Sequence, residues 1–387
     1  MSFRAVVPTE VPELGIGMIG YEFMGRAHAN AYRKIPYTFW PPPVQPRLVA
    51  VCGRTEERVA EAARRYGFEG YYTDWRELVA DERIGLIDNC AWHDAHAEPA
   101  IAAAEAGKHL LCEKPLALTA ADARRMRDAA VRAGVKHMTA FNYRFAPAVR
   151  LAREIVEQGL LGRVHHLRVS YLQDHQADPE TPYPWAGRPS GVLLGLGSHA
   201  IDLARFLVGE PSSVTGYVRT LNVLRPRPDG SGRIEVEDDD AALAQVEFVN
   251  GALGTIEAAW ICAGRKNQLA FEINGAMGSI AWDLEDLNRL HVYLEDADKV
   301  AGTRGFENVL VTEAHHPYHQ TWWPFGHILG WEHLHVNLVH HLLRAVASGE
   351  PVEPWGATFE DGYRAAVVTE AILESSRSGR RVEVAYE

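Results

Sequence analysis

The sequence predicts an α/β protein, with an N-terminal doubly wound parallel sheet and a C-terminal α/β domain that has a large open, mainly antiparallel sheet. Strand and helix signals alternate up to Phe141, which is typical of a doubly wound parallel sheet. Beyond it, short strands of alternating apolar and polar residues follow one another, which favours an antiparallel or mixed sheet. The chain has 387 residues, 47% of them hydrophobic, and can fill two cores. We expect domains over residues 1–142 and 143–387.

Each element of the N-terminal half has a local signal. The apolar run Leu14–Ile19 predicts the first strand, and the Pro-rich segment Trp40–Pro43 predicts a stiff loop after the first helix. The other predicted elements are, in order, a strand over Leu48–Cys52, a helix from its cap Thr55 to Gly67, a helix from Asp74 to Ala80, a strand over Ile84–Ala91, a helix over Ala95–Ala106, a strand ending at Cys112, a helix from the capping pair Thr119 and Asp122 to Gly134, and a strand over Val135–Phe141.

The C-terminal half is predicted to be a sheet with few helices. The predicted strands are Val164–Leu172, Ser213–Leu221, Ala242–Val249, Ala252–Trp260, Gln268–Ile273, Ser279–Trp282 and Leu290–Leu294. The predicted helices are Pro147–Gln158, Ser198–Val208, Trp331–Ala347 and Phe359–Ser376. Helices should cover one face of so large a sheet, and we expect the other face to form a homodimer or homotetramer.

Charge and composition exclude several classes of protein. The net charge of −12 argues against nucleic acid or an anionic membrane as a partner. The sequence has neither an apolar run of the length that spans a membrane nor a secretion signal. The four cysteines lack C-x-x-C spacing and are interpreted as buried thiols of a cytoplasmic protein.

A glycine-rich turn follows the first predicted strand. The letters of G-x-G-x-x-G fit Gly15, Gly17 and Gly20, but those glycines should follow the strand, so the turn is predicted to begin at Gly20 and to end at Gly25. The middle glycine is then replaced by Glu22. A carboxylate about 4 Å from a phosphate would cost about 4 kcal/mol at an effective dielectric of about 20. Glu22 should therefore point away from a bound pyrophosphate, or the cofactor should sit differently.

The second informative segment is Glu113-Lys114-Pro115, which ends a short apolar strand. Ligands of open parallel sheets bind outside the carboxyl ends of the strands. A lysine held there is predicted to lie in the binding site. The segment lies about one dinucleotide-binding half-domain from the glycine turn, which strengthens both interpretations.

At this point the chain resembles the glucose–fructose oxidoreductase, inositol dehydrogenase and rhizopine-catabolism (Gfo/Idh/MocA) family. The resemblance rests on the first strand and turn, His96-Ala97-Glu98, Gly107-Lys108-His109, Glu113-Lys114-Pro115, Phe141-Asn142-Tyr143-Arg144 and Gly197-Ser198-His199-Ala200-Ile201-Asp202. Tyr171-Leu172-Gln173-Asp174 and Ala177-Asp178-Pro179 are most similar to members that oxidise a glycoside ring hydroxyl. The resemblance implies a Rossmann domain, a substrate-binding and oligomerisation domain, an active site between them, NAD or NADP as cofactor, and a sugar, glycoside or cyclitol as substrate.

The resemblance also implies roles for single residues. Lys114 would lie near the nicotinamide, and His199 would exchange the alcohol proton; without the resemblance, a core histidine would be the preferred interpretation of His199. A histidine can move this proton near pH 7 without a shifted pKa, and an ammonium stabilises the developing alkoxide. The implied cofactor-binding residues are Gly20, Glu22, Phe23, Met24, Gly25, Arg54, Trp92, His93, His96, Glu113, Lys114 and Asn142. The implied substrate-binding residues are Tyr143, Arg144, Tyr171, Gln173, Asp174, Asp178, Trp185 and Asp202.

Three positions depart from the family pattern. Besides Glu22, the Thr-Pro-Asn turn of the family reads Ala91-Trp92-His93, and the family's Asp four residues before His199 is Gly195. Asp202, Asp174 and Asp178 are the predicted substitutes for the missing carboxylate.

The choice between NAD and NADP is open in the sequence. The second strand lacks an acidic end for the ribose 2′-hydroxyl, and Arg54 could hold a 2′-phosphate or stack on adenine, which slightly favours NADP. The glycoside-oxidising relatives point to NAD. Two other functions remain open: elimination or epimerisation that recycles the cofactor, and a non-catalytic sensor that binds cofactor and sugar.

Two further clusters carry weaker signals. Eight of the 18 histidines lie between His315 and His341, but no metal-ligand spacing appears, and we expect no metal. Aromatic residues among them suit either a wall that stacks on a sugar or a packed loop. Asp238-Asp239-Asp240 is interpreted as a solvated turn rather than a Ca²⁺ site.

Overall fold

A computed structural model describes residues 11–185, 191–295 and 303–387, and it contains the two predicted sheets. The N-terminal sheet is parallel, and its strand order is β3-β2-β1-β4-β5-β6. Its strands are β1 (Glu13–Ile19), β2 (Gln45–Cys52), β3 (Gly70–Tyr72), β4 (Leu86–Asn89), β5 (His109–Cys112) and β6 (His137–Thr139). Its helices are α1 (Phe23–Thr38), α2 (Glu56–Tyr66), α3 (Trp75–Ala80), α4 (Ala97–Glu105) and α5 (Ala120–Ala133). The strand order reverses between β1 and β4, which places a binding crevice at their carboxyl ends.

The C-terminal sheet has nine strands in the order β16-β15-β14-β13-β7-β12-β11-β8-β17. All neighbours are antiparallel except β7 and β12. The strands of this half, including the separate hairpin β9-β10, are β7 (Val164–Leu172), β8 (Pro211–Arg219), β9 (Leu224–Pro226), β10 (Arg233–Glu235), β11 (Ala241–Phe248), β12 (Leu253–Ala259), β13 (Gln268–Gly275), β14 (Gly278–Asp283), β15 (Arg289–Leu294), β16 (Glu307–Leu310) and β17 (Val382–Glu383). The helices are α6 (Pro147–Glu157), α7 (Ser198–Leu207), α8 (Trp331–Ser348) and α9 (Phe359–Ser378). The predicted fold class is confirmed.

The two C-terminal helices pack on the parallel sheet. Leu338 and Leu342 of α8 share a core with Met18 of β1, and Phe359 of α9 joins the core on the opposite face. Residues 1–142 therefore do not close their own core. The domain boundary at 142 and 143 stays a prediction.

The face of the C-terminal sheet that helices leave open carries exposed apolar side chains, among them Tyr217, Leu243 and Leu253. Oligomerisation through it stays a prediction. No helix in the described parts of the chain is long and apolar enough to cross a membrane.

The prediction of a solvated turn at the three consecutive aspartates is wrong. Asp238-Asp239-Asp240 was expected to be a solvated turn, but Asp240 is fully buried. Its carboxylate accepts the indole N–H of Trp260 at 2.8 Å and the backbone N–H groups of Leu221 and Asn222. Asp239 accepts the backbone N–H of Leu193 at 2.7 Å. The run anchors two neighbouring segments because its carboxylates point inward.

Candidate active site

The glycine turn joins β1 to α1. Gly20 has φ +88°, and a Cβ there would lie 2.6 Å from the carbonyl oxygen of Cys90. A Cβ at Gly25 would lie 2.3 Å from the carbonyl oxygen of Gly20. Gly15 and Gly17 belong to β1 and pack closely on β4 and on the loop that leads into β4. Gly20 and Gly25 thus fill the tight-turn and helix-packing positions of a dinucleotide fingerprint, in agreement with the preferred alignment.

Glu22 faces away from the turn. Its Oε1 accepts a hydrogen bond from Nη2 of Arg58 at 2.8 Å, and both side chains are exposed. The first turn of α1 is therefore left to its backbone N–H groups, which suit a phosphate. Phe23 stacks on Trp331, with 5.4 Å between ring centroids, and this contact brings the start of α8 to the start of α1. Met24 is half-buried beside it.

At the end of β2, the Tyr21 ring covers Gly53, whose Cβ would lie 2.1 Å from Tyr21 Cε1. Arg54 is exposed and makes no ion pair with any described residue. Arg54 remains available to hold a 2′-phosphate or to stack on adenine, and both roles stay predictions.

The turns after β4 and β5 meet at Lys114. Trp92 stacks on His93 with 4.8 Å between ring centroids. Burial, with the charge of Lys114, lowers the pKa of His93 to about 3, and His93 Nδ1 is buried without a partner among the described residues. His96, whose expected role as a cofactor ligand stays a prediction, lies between these two turns. It is fully buried, and its ring nitrogens face the carbonyl oxygens of Pro115 at 2.9 Å and of Ala91 at 3.1 Å, so it braces the two turns.

Lys114 reaches across to the C-terminal domain. Its Nζ donates a hydrogen bond to the carbonyl oxygen of Gly195 at 3.0 Å, and its backbone N–H donates to Oε2 of Glu113 at 3.1 Å. Burial lowers the pKa of the ammonium, while the charge of Glu113 raises it, and the balance is a lowered pKa. Asn142 is also buried here, and its Nδ2 has no partner among the described residues.

His199 starts α7, one helical turn after Gly195. A π-helical turn over Leu193–Gly197 leads into α7. The residue is 6% exposed, and no described residue hydrogen-bonds to its ring. Burial, then the charge of Lys114 and that of His335, lowers its pKa well below the usual value. The expectation of an unshifted histidine pKa is therefore wrong.

None of the three predicted carboxylates replaces the one missing at Gly195. Asp202 accepts two hydrogen bonds from the guanidinium of Arg144, at 2.9 and 2.6 Å, and both side chains are buried. Asp174 pairs with Lys266 at 2.5 Å. Asp178 is exposed and accepts the backbone N–H of Glu180. The hydrogen bonds of these carboxylates go to other residues, and the substrate contacts expected of them and of Arg144 stay a prediction.

Beside His199 lies a chain of hydrogen bonds. The hydroxyl groups of Tyr143 and Tyr171 are 2.8 Å apart, and Asn267 Oδ1 accepts from Tyr171 at 2.7 Å and from Gln173 at 2.6 Å. The rings of Tyr143 and His199 are 4.7 Å apart. Sequence reasoning missed Asn267; only the antiparallel register of β7 and β13, which pairs Leu172 with Gln268, could have indicated it.

An aromatic wall flanks Gly195. Trp185 stacks on Trp260 with 4.8 Å between centroids, and an ideal Cβ at Gly195 would have Trp260 Cζ3 as a neighbour at 4.0 Å. Trp260, which the sequence did not single out, is held by Asp240. Trp322, an aromatic residue of the histidine-rich segment, instead donates its indole N–H to Oδ1 of Asn337 on α8.

The residues present fit a nicotinamide dinucleotide. A Cβ at Gly20 or Gly25 would collide with backbone carbonyl oxygens, so the two glycines permit the tight turn that presents the first backbone N–H groups of α1 to a pyrophosphate. Asn142 Nδ2 and His93 Nδ1 are buried, lack a partner among the described residues and could bind a polar ring substituent.

Two family models match the chain. Residues 14–141 match the oxidoreductase family with an NAD-binding Rossmann fold, and residues 149–281 match the GFO/IDH/MocA C-terminal domain. A levoglucosan dehydrogenase of Pseudarthrobacter phenanthrenivorans is 40% identical over 96% of this chain and 98% of that protein. A myo-inositol 2-dehydrogenase of Thermotoga maritima is 30% identical over 75% of this chain and 80% of that protein.

Solved structures are similar over the whole fold. A levoglucosan dehydrogenase in complex with NADH and L-sorbose matches with a TM-score of 0.92 and 40% identity, covering 97% of this chain and 100% of that chain.

Proposed function

The chain belongs to the GFO/IDH/MocA family of NAD-dependent sugar and cyclitol dehydrogenases, and we propose that it transfers a hydride between a nicotinamide dinucleotide and a ring hydroxyl or ketone of a sugar, glycoside or cyclitol. The dinucleotide cofactor agrees with the prediction, since the N-terminal match is to an NAD-binding fold. Because the levoglucosan dehydrogenase relative is similar over nearly the full length, we propose a glycoside such as levoglucosan as the first substrate to test.

One observation carries the proposal. The ammonium of Lys114 is fixed 3.0 Å from the carbonyl oxygen of Gly195, one turn before His199, and its charge acts on the His199 imidazole. A cation and a neutral imidazole thus converge where the two domains meet. This pair can bind one hydroxyl group, the cation stabilising the oxygen and the imidazole accepting the proton.

The proposed mechanism assigns each step to a residue. The turn from Gly20 to Gly25 would hold the pyrophosphate of the cofactor, and Asn142 and His93 would bind its nicotinamide end. Bound NAD(P) supplies the hydride acceptor. A ring nitrogen of His199 takes the hydroxyl proton, because its lowered pKa keeps it neutral and able to accept. Lys114 Nζ stabilises the oxygen while its negative charge develops.

We propose that the substrate lies between the hydrogen-bond chain of Tyr143, Tyr171 and Gln173 and the stacked rings of Trp185 and Trp260. Tyrosine, glutamine and asparagine groups supply donors and acceptors for ring hydroxyls. Indole faces pack against the apolar face of a sugar.

A panel of levoglucosan, L-sorbose and myo-inositol, assayed for NADH and NADPH formation or consumption, tests the function. With an active substrate, His199→Ala and Lys114→Ala should each lower kcat by about 10² or more, because proton transfer is worth roughly 10² to 10⁴, and NADH affinity should stay within a few-fold. The control is His340→Phe, since His340 stacks on Phe39 at the far end of α1. Near-native turnover of His199→Ala would refute the assigned role, and tight NADH and sugar binding without hydride transfer would support the sensor instead.

A further inference from the structure

A buried charge cluster lies directly behind Lys114. His28 of α1 is fully buried between two carboxylates, with Nδ1 3.0 Å from Oδ2 of Asp88 and Nε2 3.1 Å from Oε1 of Glu113. The contact to Glu113 is an ion pair whose angle is too bent for a hydrogen bond. Glu113 in turn accepts the backbone N–H of Lys114. His28 therefore connects the helix that follows the glycine turn with the proposed catalytic lysine.

The charges of this cluster balance only if His28 is protonated. Burial lowers the pKa of His28, but the charge of Asp88, together with the side-chain hydrogen bonds of His28 with Asp88 and Cys90, outweighs burial and raises it well above the usual value. Burial alone would raise the pKa of Glu113, whereas His28 and Lys114 hold it at about 2. Two carboxylates, Asp88 and Glu113, then face two cations, His28 and Lys114.

The other groups around Glu113 and Lys114 do not contribute a cation near pH 7. Burial keeps the thiols protonated, keeps Tyr143 neutral and lowers the pKa of each histidine. These neighbours are Cys90, His93, His96, Cys112, Tyr143, His199 and His335. Without the charge of His28, one ammonium would face two carboxylates in a site that excludes water.

We propose that His28 is a positioning residue of the active site: its imidazolium keeps Glu113 ionised, and ionised Glu113 holds the backbone of Lys114 and keeps its ammonium charged. The effect on turnover rests on the proposed function, whereas the charge state of His28 does not. His28, Asp88 and Cys90 could also be considered as metal ligands, but their atoms already contact one another at 3.0 to 3.3 Å as an ion-paired cluster.

The first experiment needs no variant and no substrate. All 18 histidines lie in the described residues; burial lowers the pKa of most of them, whereas the pKa of His28 is raised. NMR of the ¹⁵N-histidine-labelled wild-type protein at pH 8.5 should show one histidine protonated at both ring nitrogens. A spectrum with only neutral histidines would overturn the proposal, whether or not the protein turns over a sugar.

The second experiment uses pH profiles of kcat at saturating cofactor. In His28→Gln, Glu113 should take up a proton in the neutral range, so that kcat falls as the pH is lowered, by up to about tenfold per pH unit below the new pKa. Wild-type protein should lack this limb, since its Glu113 stays ionised down to about pH 2. The double variant with Glu113→Gln should lose the limb and keep a low kcat, and His28→Lys should restore the wild-type profile.

Ile35→Ala provides the matched control for destabilisation. Ile35 is a fully buried apolar residue on α1, and its truncation lowers stability by leaving a cavity without changing a charge. We expect a lower melting temperature and an unchanged pH profile. The same limb in Ile35→Ala, or no limb in folded His28→Gln, would show that His28 only stabilises the fold. Failure of the proposed function would instead show as absent turnover together with the expected NMR signal.

Discussion

Replacing Gly195 by Asp should turn His199 into a stronger base. An ideal Cβ at Gly195 has Trp260 Cζ3, 4.0 Å away, as its nearest neighbour outside its own helical turn, so a Cβ fits there without displacing an atom. Gly195 has no left-handed backbone conformation that would strain another residue. Side chains four positions apart on a helix are neighbours, so the new carboxylate would lie beside the His199 imidazole.

The expected size of the pKa shift follows from the distance between the new carboxylate and the imidazole. A carboxylate about 5 Å from an imidazolium interacts by about 3 kcal/mol at an effective dielectric of about 20, which corresponds to about two pKa units. Burial and the charge of Lys114 hold the pKa of His199 well below 6.5, and the carboxylate would raise it toward that value. Because proton transfer follows Brønsted behaviour, kcat near pH 8 should increase by about tenfold.

The assay is the pH dependence of kcat and kcat/KM for Gly195→Asp, with Gly195→Asn as the uncharged control of the same shape. The acid limb of wild-type activity should lie well below pH 6.5, because His199 loses its accepting nitrogen only when it is protonated. In Gly195→Asp the limb should move up by about two pH units. An unmoved limb, or an equal shift in Gly195→Asn, would refute the assignment of His199 as the titrating base.

Two further predictions concern the cofactor and acid stability. If Arg54 holds a 2′-phosphate, Arg54→Ala should weaken NADP binding by roughly 1.5 to 3 kcal/mol in calorimetry and leave NAD unchanged; equal losses would mean that Arg54 stacks on adenine or supports the loop. Burial lowers the pKa of His340 to about 3, so the folded state keeps it neutral while the unfolded chain protonates it below about 6.5. The contribution of neutral His340 to the free energy of unfolding is present above that pH and is lost as the pH falls, by up to about 1.4 kcal/mol per pH unit. In His340→Phe, the free energy of unfolding by urea should therefore depend less steeply on pH between about pH 6 and 4. The same pH dependence in the variant and the wild type would contradict this.

The N-terminal half could be predicted closely because its signals are local. A glycine with a positive φ at position 20, an apolar strand before it and a lysine at the end of β5 each act within a few residues. Thr119 caps α5 through its side chain as the sequence indicated. Strand β3 was missed because Gly70–Tyr72 is too short to show a period.

The partners of the site residues could not be predicted, because they come from distant parts of the chain. Asp202 is one turn from His199 in sequence, but its carboxylate belongs to Arg144, 58 positions away. Asn267 reaches Tyr171 only because β13 pairs with β7 in one register. Sequence spacing indicates which side chains are neighbours on one helix, but it does not indicate which oppositely charged side chain of another element will pair with one of them.

The three departures from the family pattern differ in what the structure supplies for them. Glu22 has Arg58, which draws its charge away from the turn, and His93 stays neutral beside Lys114 because burial lowers its pKa to about 3. Gly195 has no such replacement among the described residues: its carbonyl oxygen binds Lys114, and His199 keeps a low pKa without a carboxylate. If His199 is the base, as proposed, the missing carboxylate should slow proton transfer and leave the fold intact. An enzyme built this way should retain its active protonation state at a lower pH than a relative in which an aspartate raises the histidine pKa, and should turn over more slowly than that relative at neutral pH.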